Sequence, residues 1–348
     1  MDIENLLKPF REQFDLPAMG GAIVTQEGLV TCGVVGIRKR GKDERVETSD
    51  RWHMGSDTKA MTAMMCARLV EQGVLSWDST VGQVIGPQLD RPLNQRKSNI
   101  TLWQLLHHIS GLPPNDKWDT IPKNLPLHQQ RLIAARRAFS QRLLFQPGSD
   151  FKYSNLGYTM AGLMAECATG RSWEELIEQQ VFAPLNMQAR EGPQCEGVLP
   201  MSEPWGHTED GKPVCSDNPL VMAPAGCINC TLANWSKFIA EVLRGAGGQP
   251  GLLRAETYQT LITPPEGRDY ACGWIATRRP WAGGLALNHV GSNTMNVANA
   301  WLAPNRGFAV LVVSNQGGKQ AEEACDKACG ALIHYWVQQQ QTGDAGGN

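Results

Sequence analysis

A helix that begins near Ser56 constrains the fold of this chain more than any other segment. Its apolar side chains Met61, Met65 and Leu69 recur every four residues, which is the period of a packed helix. Ser56 and Lys59 stand three residues apart in the first turn, so their side chains lie on one face as neighbours. The sequence therefore predicts a buried helix whose first turn carries a serine and a lysine.

The spacing of Ser56 and Lys59 suits a nucleophile and its base. A serine hydroxyl is a poor nucleophile until a neighbouring group takes its proton. Burial and the positive end of the helix dipole both disfavour a charged lysine, and so favour the amine that accepts this proton. The backbone N–H groups of the same turn can receive a developing oxyanion. The alternative is an ordinary Ser-x-x-Lys pair on a helix surface.

The composition is that of a globular chain without a strongly charged surface. Its 348 residues leave room for one large domain or two closely joined ones. The formal net charge is −2 and there is no basic run, so we expect neither nucleic-acid nor membrane binding. The N-terminus lacks a signal-peptide pattern and no apolar run reaches about 18 residues, which predicts a cytoplasmic protein. A periplasmic location follows only if a leader was removed, and the oligomeric state stays open.

Ten cysteines are scattered along the chain without a disulfide framework. Cys227 and Cys230 have the two-residue spacing of a metal or redox pair, but no second pair stands at a zinc-finger distance. Others, such as Cys66, fall in helical patterns where a free thiol behaves as a small apolar residue. We therefore expect no bound metal, and the sequence leaves open whether any cysteines pair.

Strand-like segments occupy both ends of the chain, and helical segments lie between them. The sequence predicts strands over 19–25, 29–36, 270–277, 284–289, 296–303 and 307–314, and a closing helix over 321–337. This order predicts an α+β fold: one antiparallel sheet flanked by helices and completed by both ends of the chain, with an inserted all-helical domain. The expected boundaries are a sheet domain at 1–77 and 232–340, a helical domain at 78–231 and a disordered tail at 341–348.

Tyr153 and Asn155 precede a predicted helix and are candidate partners of Ser56. A phenol beside an ammonium is pushed towards phenolate, so Tyr153 is expected to act as a general base and then to protonate the leaving group. Asn155 has one acceptor and two donors, with which it can hold a substrate amide or fix Lys59. The alternative is a helix-capping loop with a partly buried tyrosine.

His289, Gly291 and Ser292 stand at the end of a predicted strand. An edge strand pairs with an extended substrate through its main chain, and Gly291 permits a close approach of the backbone. The N–H group of Ser292 is then a second oxyanion donor beside that of Ser56. The alternative for His289 is a structural histidine.

Taken together, these segments resemble the signature of serine β-lactamase-like and penicillin-recognising enzymes. The three motifs are Ser56-x-x-Lys59, Tyr153-Ser154-Asn155 and His289-Val290-Gly291. The tyrosine form of the second motif is similar to that of the class C β-lactamase branch, which includes family VIII carboxylesterases and D-amino-acid peptidases. Further similar segments lie at 105–113, 146–148, 182–187 and 224–226, so the resemblance covers about residues 15–335.

This resemblance implies an acyl-enzyme on Ser56, with Lys59 and Tyr153 as the base pair. It also implies that the N–H groups of Ser56 and Ser292 form the oxyanion hole, in a cleft between the sheet and the helical domain. No metal or organic cofactor is implied. The substrate-binding residues expected on this basis are Asn155, His289, Gly291 and Ser292.

The third motif departs from the family at its first two positions. β-Lactamases usually have a lysine where His289 stands, and that lysine supplies a fixed positive charge for a substrate carboxylate, whereas a histidine near neutral pH is mostly uncharged. Val290 replaces a threonine and removes a hydroxyl. We therefore expect a hydrolase of small esters or uncharged amides.

Other functions stay open on the sequence alone. Within the enzymes, the alternatives are a class C-type β-lactamase and a D-amino-acid peptidase. An alternative from another class is a penicillin-binding sensor that is acylated without turnover, and a further one is a scaffold that has lost its chemistry.

Overall fold

The chain folds around one six-stranded antiparallel sheet. The computed structural model describes residues 2–192 and 203–345. The strands in those parts are β1 (Ala18–Thr25), β2 (Gly28–Gly36), β3 (Trp52–His53), β4 (Ala189–Glu191), β5 (Gly206–His207), β6 (Pro213–Val214), β7 (Ile228–Cys230), β8 (Ile275–Arg279), β9 (Gly284–Ser292), β10 (Val297–Ala303) and β11 (Phe308–Ser314). In space the large sheet has the order β2-β1-β11-β10-β9-β8, with β1 antiparallel to β11. The predicted antiparallel sheet, completed by both ends of the chain, is confirmed.

Helices cover both faces of this sheet and fill the middle of the chain. They are α1 (Ile3–Gln13), α2 (Thr58–Glu71), α3 (Val81–Val84), α4 (Gln95–Ser98), α5 (Leu102–Leu106), α6 (Leu127–Ser140), α7 (Asn155–Thr169), α8 (Trp173–Ile177), α9 (Ala223–Gly226), α10 (Leu232–Ala246), α11 (Ala255–Ile262) and α12 (Lys319–Ala345). The predicted boundaries between a sheet domain and a helical domain stay predictions. Among residues 2–192 and 203–345, no helix is both long and apolar enough to cross a membrane.

The central strand β11 is buried on both faces, and each face has its own core. Successive side chains of a strand point to opposite faces, so Val312 packs with α1 and α12 whereas Leu311 packs with α2 and α10. The core on the Leu311 face of the sheet continues into the helical region, where Met61 and Met65 of α2 pack with residues of α7. Helix α2, which begins just after Ser56, therefore joins the sheet to the helices and holds its first turn rigidly.

Two segments differ from the sequence predictions. The strand expected over 270–277 begins only at Ile275, because Gly273 turns the chain at a φ of +86° where it lies directly against Ala60 of α2. The closing helix runs to Ala345, so residues 341–345 of the expected disordered tail are helical. In this extension the hydroxyl of Thr342 donates to carbonyl oxygens of the preceding turn, those of Gln338 and Gln339. Residues 346–348 of the expected tail lie outside the described residues.

Candidate active site

Ser56 lies in a short 3-10 turn, Gly55–Asp57, which leads directly into α2 and is called the serine turn below. Its side chain is partly exposed, whereas Lys59 is completely buried. The N–H of Ser56 precedes the first hydrogen bonds of the helix and has no helical acceptor. Gly55 has a φ of +50°, and a side chain there would lie 2.4 Å from the backbone nitrogen of Ser292. Only glycine permits this close approach of the serine turn to the end of β9.

A buried histidine–aspartate pair supports the serine turn from below. The N–H of Gly55 donates to Nδ1 of His53 at 2.9 Å, and Nε2 of His53 lies 2.6 Å from Oδ1 of Asp217. Because Nδ1 accepts, Nε2 carries the hydrogen and donates it to the carboxylate. Sequence reasoning missed both residues. They are far apart in the chain and belong to no motif, so no signal in one sequence would have found them.

Lys59 contacts three oxygen atoms from three segments. Its Nζ lies 3.0 Å from Oγ of Ser56, 2.8 Å from Oδ1 of Asn155 and 2.6 Å from the carbonyl oxygen of Ala225. Burial lowers the pKa of Lys59 from 10.5 to about 7, although Asp57 acts in the opposite direction. At neutral pH a large share of molecules therefore carries the uncharged amine, which is the form that accepts a proton.

Tyr153 reaches the same serine. Its side chain hydrogen-bonds to Ser56, and Nζ of Lys59 lies 4.8 Å from the centre of its ring. The prediction that Tyr153 is shifted towards phenolate is wrong, because burial of the hydroxyl raises the pKa of Tyr153. Lys59 offsets little of the cost of burying a phenolate, because only part of the population carries its charge at neutral pH. Tyr153 is therefore a phenol at neutral pH, and the ring of His108 supports it at 4.3 Å between centres.

Asn155 is the first residue of α7, placed by Ser154, which caps that helix. Its Oδ1 accepts from Lys59, and its Nδ2 donates to Oδ1 of Asn115 at 2.9 Å. Of the two roles expected from the sequence, the structure places the amide where it fixes Lys59. Asn115 adds a contact that the motif itself does not include.

The end of β9 lies against the serine turn. Strand β8 pairs with β9 over Gly284–Asn288. Residues 289–292 of β9 extend beyond this pairing, so their backbone on that side of the strand is not bonded to β8. The expectation of an edge strand therefore applies to this end alone, since β9 is the second strand from the edge of the sheet. The backbone nitrogen of Ser292 lies beside Gly55, and that of Ser56 lies beside Gly291. The two N–H groups thus meet at one corner, while the oxyanion hole stays a prediction.

His289 is buried beside this corner. Its Nε2 lies 3.4 Å from the hydroxyl of Tyr270, and its Nδ1 lies 3.9 Å from Oδ1 of Asp57. Burial, together with the nearby Lys59, lowers the pKa of His289 to about 3. His289 is therefore uncharged at neutral pH, in the direction expected from the sequence. The first position of the third motif carries no positive charge here.

Replacement of Gly291 is expected to damage this corner. In Gly291→Ala the new methyl would lie 1.9 Å from the carbonyl oxygen of Met54 and 2.8 Å from the nitrogen of Ser56. Both are backbone atoms of a rigid turn, so β9 must move away and separate the two N–H groups. Loss of one oxyanion donor costs about 10²–10³ in kcat, and we expect a loss of that size in ester hydrolysis at an almost unchanged KM.

Gly330→Ala is the matched control for this variant. A methyl group at Gly330 meets no atom within 4 Å, so this change in α12 should leave hydrolysis intact. Wild-type turnover by a folded Gly291→Ala protein would contradict the close contact between β9 and the serine turn.

The chain is similar to several characterised proteins. Protein flp of Staphylococcus aureus (strain N315) is 29% identical over 309 residues, which cover 83% of this chain and 60% of that protein. Unguisins hydrolase ungD' of Aspergillus campestris (strain IBT 28561) is 23% identical over 343 residues, 90% of this chain and 61% of that protein. The octameric penicillin-binding protein homologue from Pyrococcus abyssi has the same fold, with a TM-score of 0.78 at 21% identity, covering 96% of this chain and 77% of that chain.

A family model that matches nearly the whole chain identifies the family. The chain spans 60% and 61% of the length of the two curated relatives named above, and 35% of the length of protein flp from Staphylococcus aureus (strain COL). The family model described as Beta-lactamase matches residues 3–329, a range that contains all of the candidate site residues. Members of this family are serine hydrolases. The chain therefore belongs to the beta-lactamase family.

Proposed function

We propose that this protein is a serine hydrolase that forms an acyl-enzyme on Ser56 and hydrolyses small uncharged esters or amides. The observation that carries the proposal is the surroundings of Lys59. An uncharged amine has two N–H groups, and the oxygens of Asn155 and Ala225 accept them at 2.8 and 2.6 Å. The lone pair is then left for the hydroxyl of Ser56 at 3.0 Å. Lys59 is thus oriented as a base towards one hydroxyl.

In the acylation step, Oγ of Ser56 attacks the substrate carbonyl carbon and its proton passes to Nζ of Lys59. The electron pair of the carbonyl moves to its oxygen, which the N–H groups of Ser56 and Ser292 stabilise. When the tetrahedral intermediate collapses, the bond to the leaving group breaks, and the phenol of Tyr153 gives that group its proton. Tyr153 is reprotonated from Lys59, which restores the uncharged amine.

Deacylation follows the same route in reverse with water as the nucleophile. A water molecule attacks the acyl carbon and gives its proton to Lys59. The ester bond to Oγ then breaks, and the serine oxygen regains a proton from the same lysine. The product acid leaves, and no group outside the chain is consumed.

The preference for uncharged substrates rests on His289 and Val290. His289 is uncharged at neutral pH because its pKa is about 3, so it provides no fixed cation for a carboxylate. Val290 provides no hydroxyl. β-Lactams carry a carboxylate close to the scissile bond. Such a substrate would lose the water that solvates its carboxylate on binding, without gaining an ion pair in return.

The test is steady-state hydrolysis of p-nitrophenyl butyrate and nitrocefin, measured side by side. We expect turnover of the uncharged ester to exceed that of nitrocefin, which carries a carboxylate. Faster nitrocefin turnover would favour the class C-type β-lactamase instead. Labelling of Ser56 by a fluorescent penicillin, without turnover of either substrate, would favour the sensor and overturn the proposal.

A further inference from the structure

Asp57 is a buried carboxyl group that the proposed hydrolysis does not use. It directly follows Ser56 in the serine turn and is 2% exposed. The backbone amide of Gly291 approaches it, but neither carboxyl oxygen makes a well-formed hydrogen bond within the described residues. A buried polar group without a partner is costly, so a carboxyl group at this position needs a physical reason.

The group that faces Asp57 is His289. Oδ1 of Asp57 and Nδ1 of His289 are 3.9 Å apart, and Nδ1 also has no hydrogen-bond partner among the described residues. These two buried atoms, neither with a well-formed hydrogen bond among the described residues, thus lie close together at the junction between the serine turn and β9. A small movement of either side chain brings them within hydrogen-bond distance.

A chain of hydroxyl groups decides which nitrogen of His289 carries the hydrogen. The hydroxyl of Tyr158 donates to the carbonyl oxygen of Leu106 at 2.8 Å, and the hydroxyl of Tyr270 donates in turn to Tyr158. The oxygen of Tyr270 is then an acceptor for Nε2–H of His289, at 3.4 Å. Nδ1 of His289 therefore presents a lone pair to Asp57, and only a protonated carboxyl group can donate to it.

The electrostatics of the site agree with an uncharged pair. Burial raises the pKa of Asp57 well above its usual value and lowers the pKa of His289 to about 3. Lys59 acts on both groups, since it favours the ionised form of Asp57 and opposes protonation of His289. Lys59 is itself half neutral near pH 7, since its pKa is about 7.

We propose that Asp57 sets the substrate charge preference of this cleft: it shares one proton with His289 in an uncharged buried pair and cancels any cation placed at position 289. The inference rests on the proposed function and extends it. On this view the preference for uncharged substrates does not come from the histidine alone. The carboxyl group beside the histidine contributes as well, because it would form an ion pair with a lysine at that position.

Four proteins test this inference: the wild type, Asp57→Asn, His289→Lys and the double variant. The readout is the ratio of kcat/KM for nitrocefin to kcat/KM for p-nitrophenyl butyrate. In His289→Lys alone we expect the ratio to stay near the wild-type value, because the introduced ammonium pairs with Asp57. In the double variant that ammonium is free to pair with the carboxylate of nitrocefin. The ratio should then rise about tenfold, a coupling typical of residues in contact.

The contrary outcome is equally distinct. If His289→Lys alone raises the ratio as much as the double variant does, Asp57 does not cancel the cation and the inference is wrong. Asp57→Asn alone should leave the ratio near the wild-type value, because the asparagine amide also donates to Nδ1 of His289.

A second measurement needs no turnover. Nitrogen-15 NMR of the histidine rings, with His289 assigned from its loss in His289→Gln, reports which ring nitrogen carries hydrogen. We expect an uncharged ring with hydrogen on Nε2 at neutral pH, and a shift of the Nδ1 signal in Asp57→Leu. An imidazolium, or hydrogen on Nδ1, would overturn the inference. If the wild type hydrolyses neither substrate, the proposed function fails while this measurement still decides the pair.

Discussion

Ser56→Ala should abolish hydrolysis of p-nitrophenyl butyrate. The alanine keeps the backbone N–H of the serine turn and the base at Lys59, but it removes the only atom placed to form an acyl-enzyme in the proposed mechanism. Removal of the nucleophilic serine costs about 10⁶ in kcat, and the residual rate should come from the oxyanion donors and binding. The measurement is steady-state hydrolysis together with the intact mass of the quenched protein, in which an acyl adduct should appear for the wild type alone.

Ser140→Ala is the matched control for this prediction. Ser140 is exposed at the end of α6, where its hydroxyl donates to the carbonyl oxygen of Arg137. The control should keep wild-type turnover and adduct formation. Hydrolysis by a folded Ser56→Ala protein, at a rate close to that of the wild type, would rule out Ser56 as the nucleophile.

Sequence reasoning located the parts of the site that rest on local spacing. The three-residue step from Ser56 to Lys59 is a property of any helix, so their contact at 3.0 Å follows once the helix is recognised. The antiparallel sheet follows in the same way, because strand-like segments at both ends of the chain with helical segments between them favour one sheet to which both ends contribute. The end of β9 is predicted as part of the site because Gly291, at the end of a predicted strand, permits a close approach of the backbone to an extended substrate.

What the sequence does not contain is the set of contacts between distant segments. The support of Gly55 by His53 and Asp217, and the acceptor provided to Lys59 by Ala225, depend on the folded path of the chain. Charge states depend on burial for the same reason. Tyr153 was expected to ionise because its neighbour is a lysine, yet burial suppresses the charge of both groups.

Lys59→Met should lower kcat by about 10²–10⁴, the usual contribution of a general base. Methionine has a similar length and suits the buried surroundings, but it cannot accept the proton of Ser56. The wild-type rate should rise as the pH increases through about 7, where Lys59 loses its proton, and the residual rate of the variant should lack this inflection. Lys97→Met is the control, because Nζ of Lys97 donates to the carbonyl oxygen of Phe139, which is not one of the candidate site residues.

The same substitution should also change how stability depends on pH. The pKa of Lys59 is about 7 in the folded chain and 10.5 when unperturbed, so between these values the unfolded chain binds more protons through this group. Stability then rises with pH across that window. Thermal melts from pH 7 to pH 9 should therefore show a steeper rise in Tm for the wild type than for Lys59→Met. Equal slopes, together with an unchanged inflection in the rate, would mean that Lys59 is charged at neutral pH and that another group accepts the proton of Ser56.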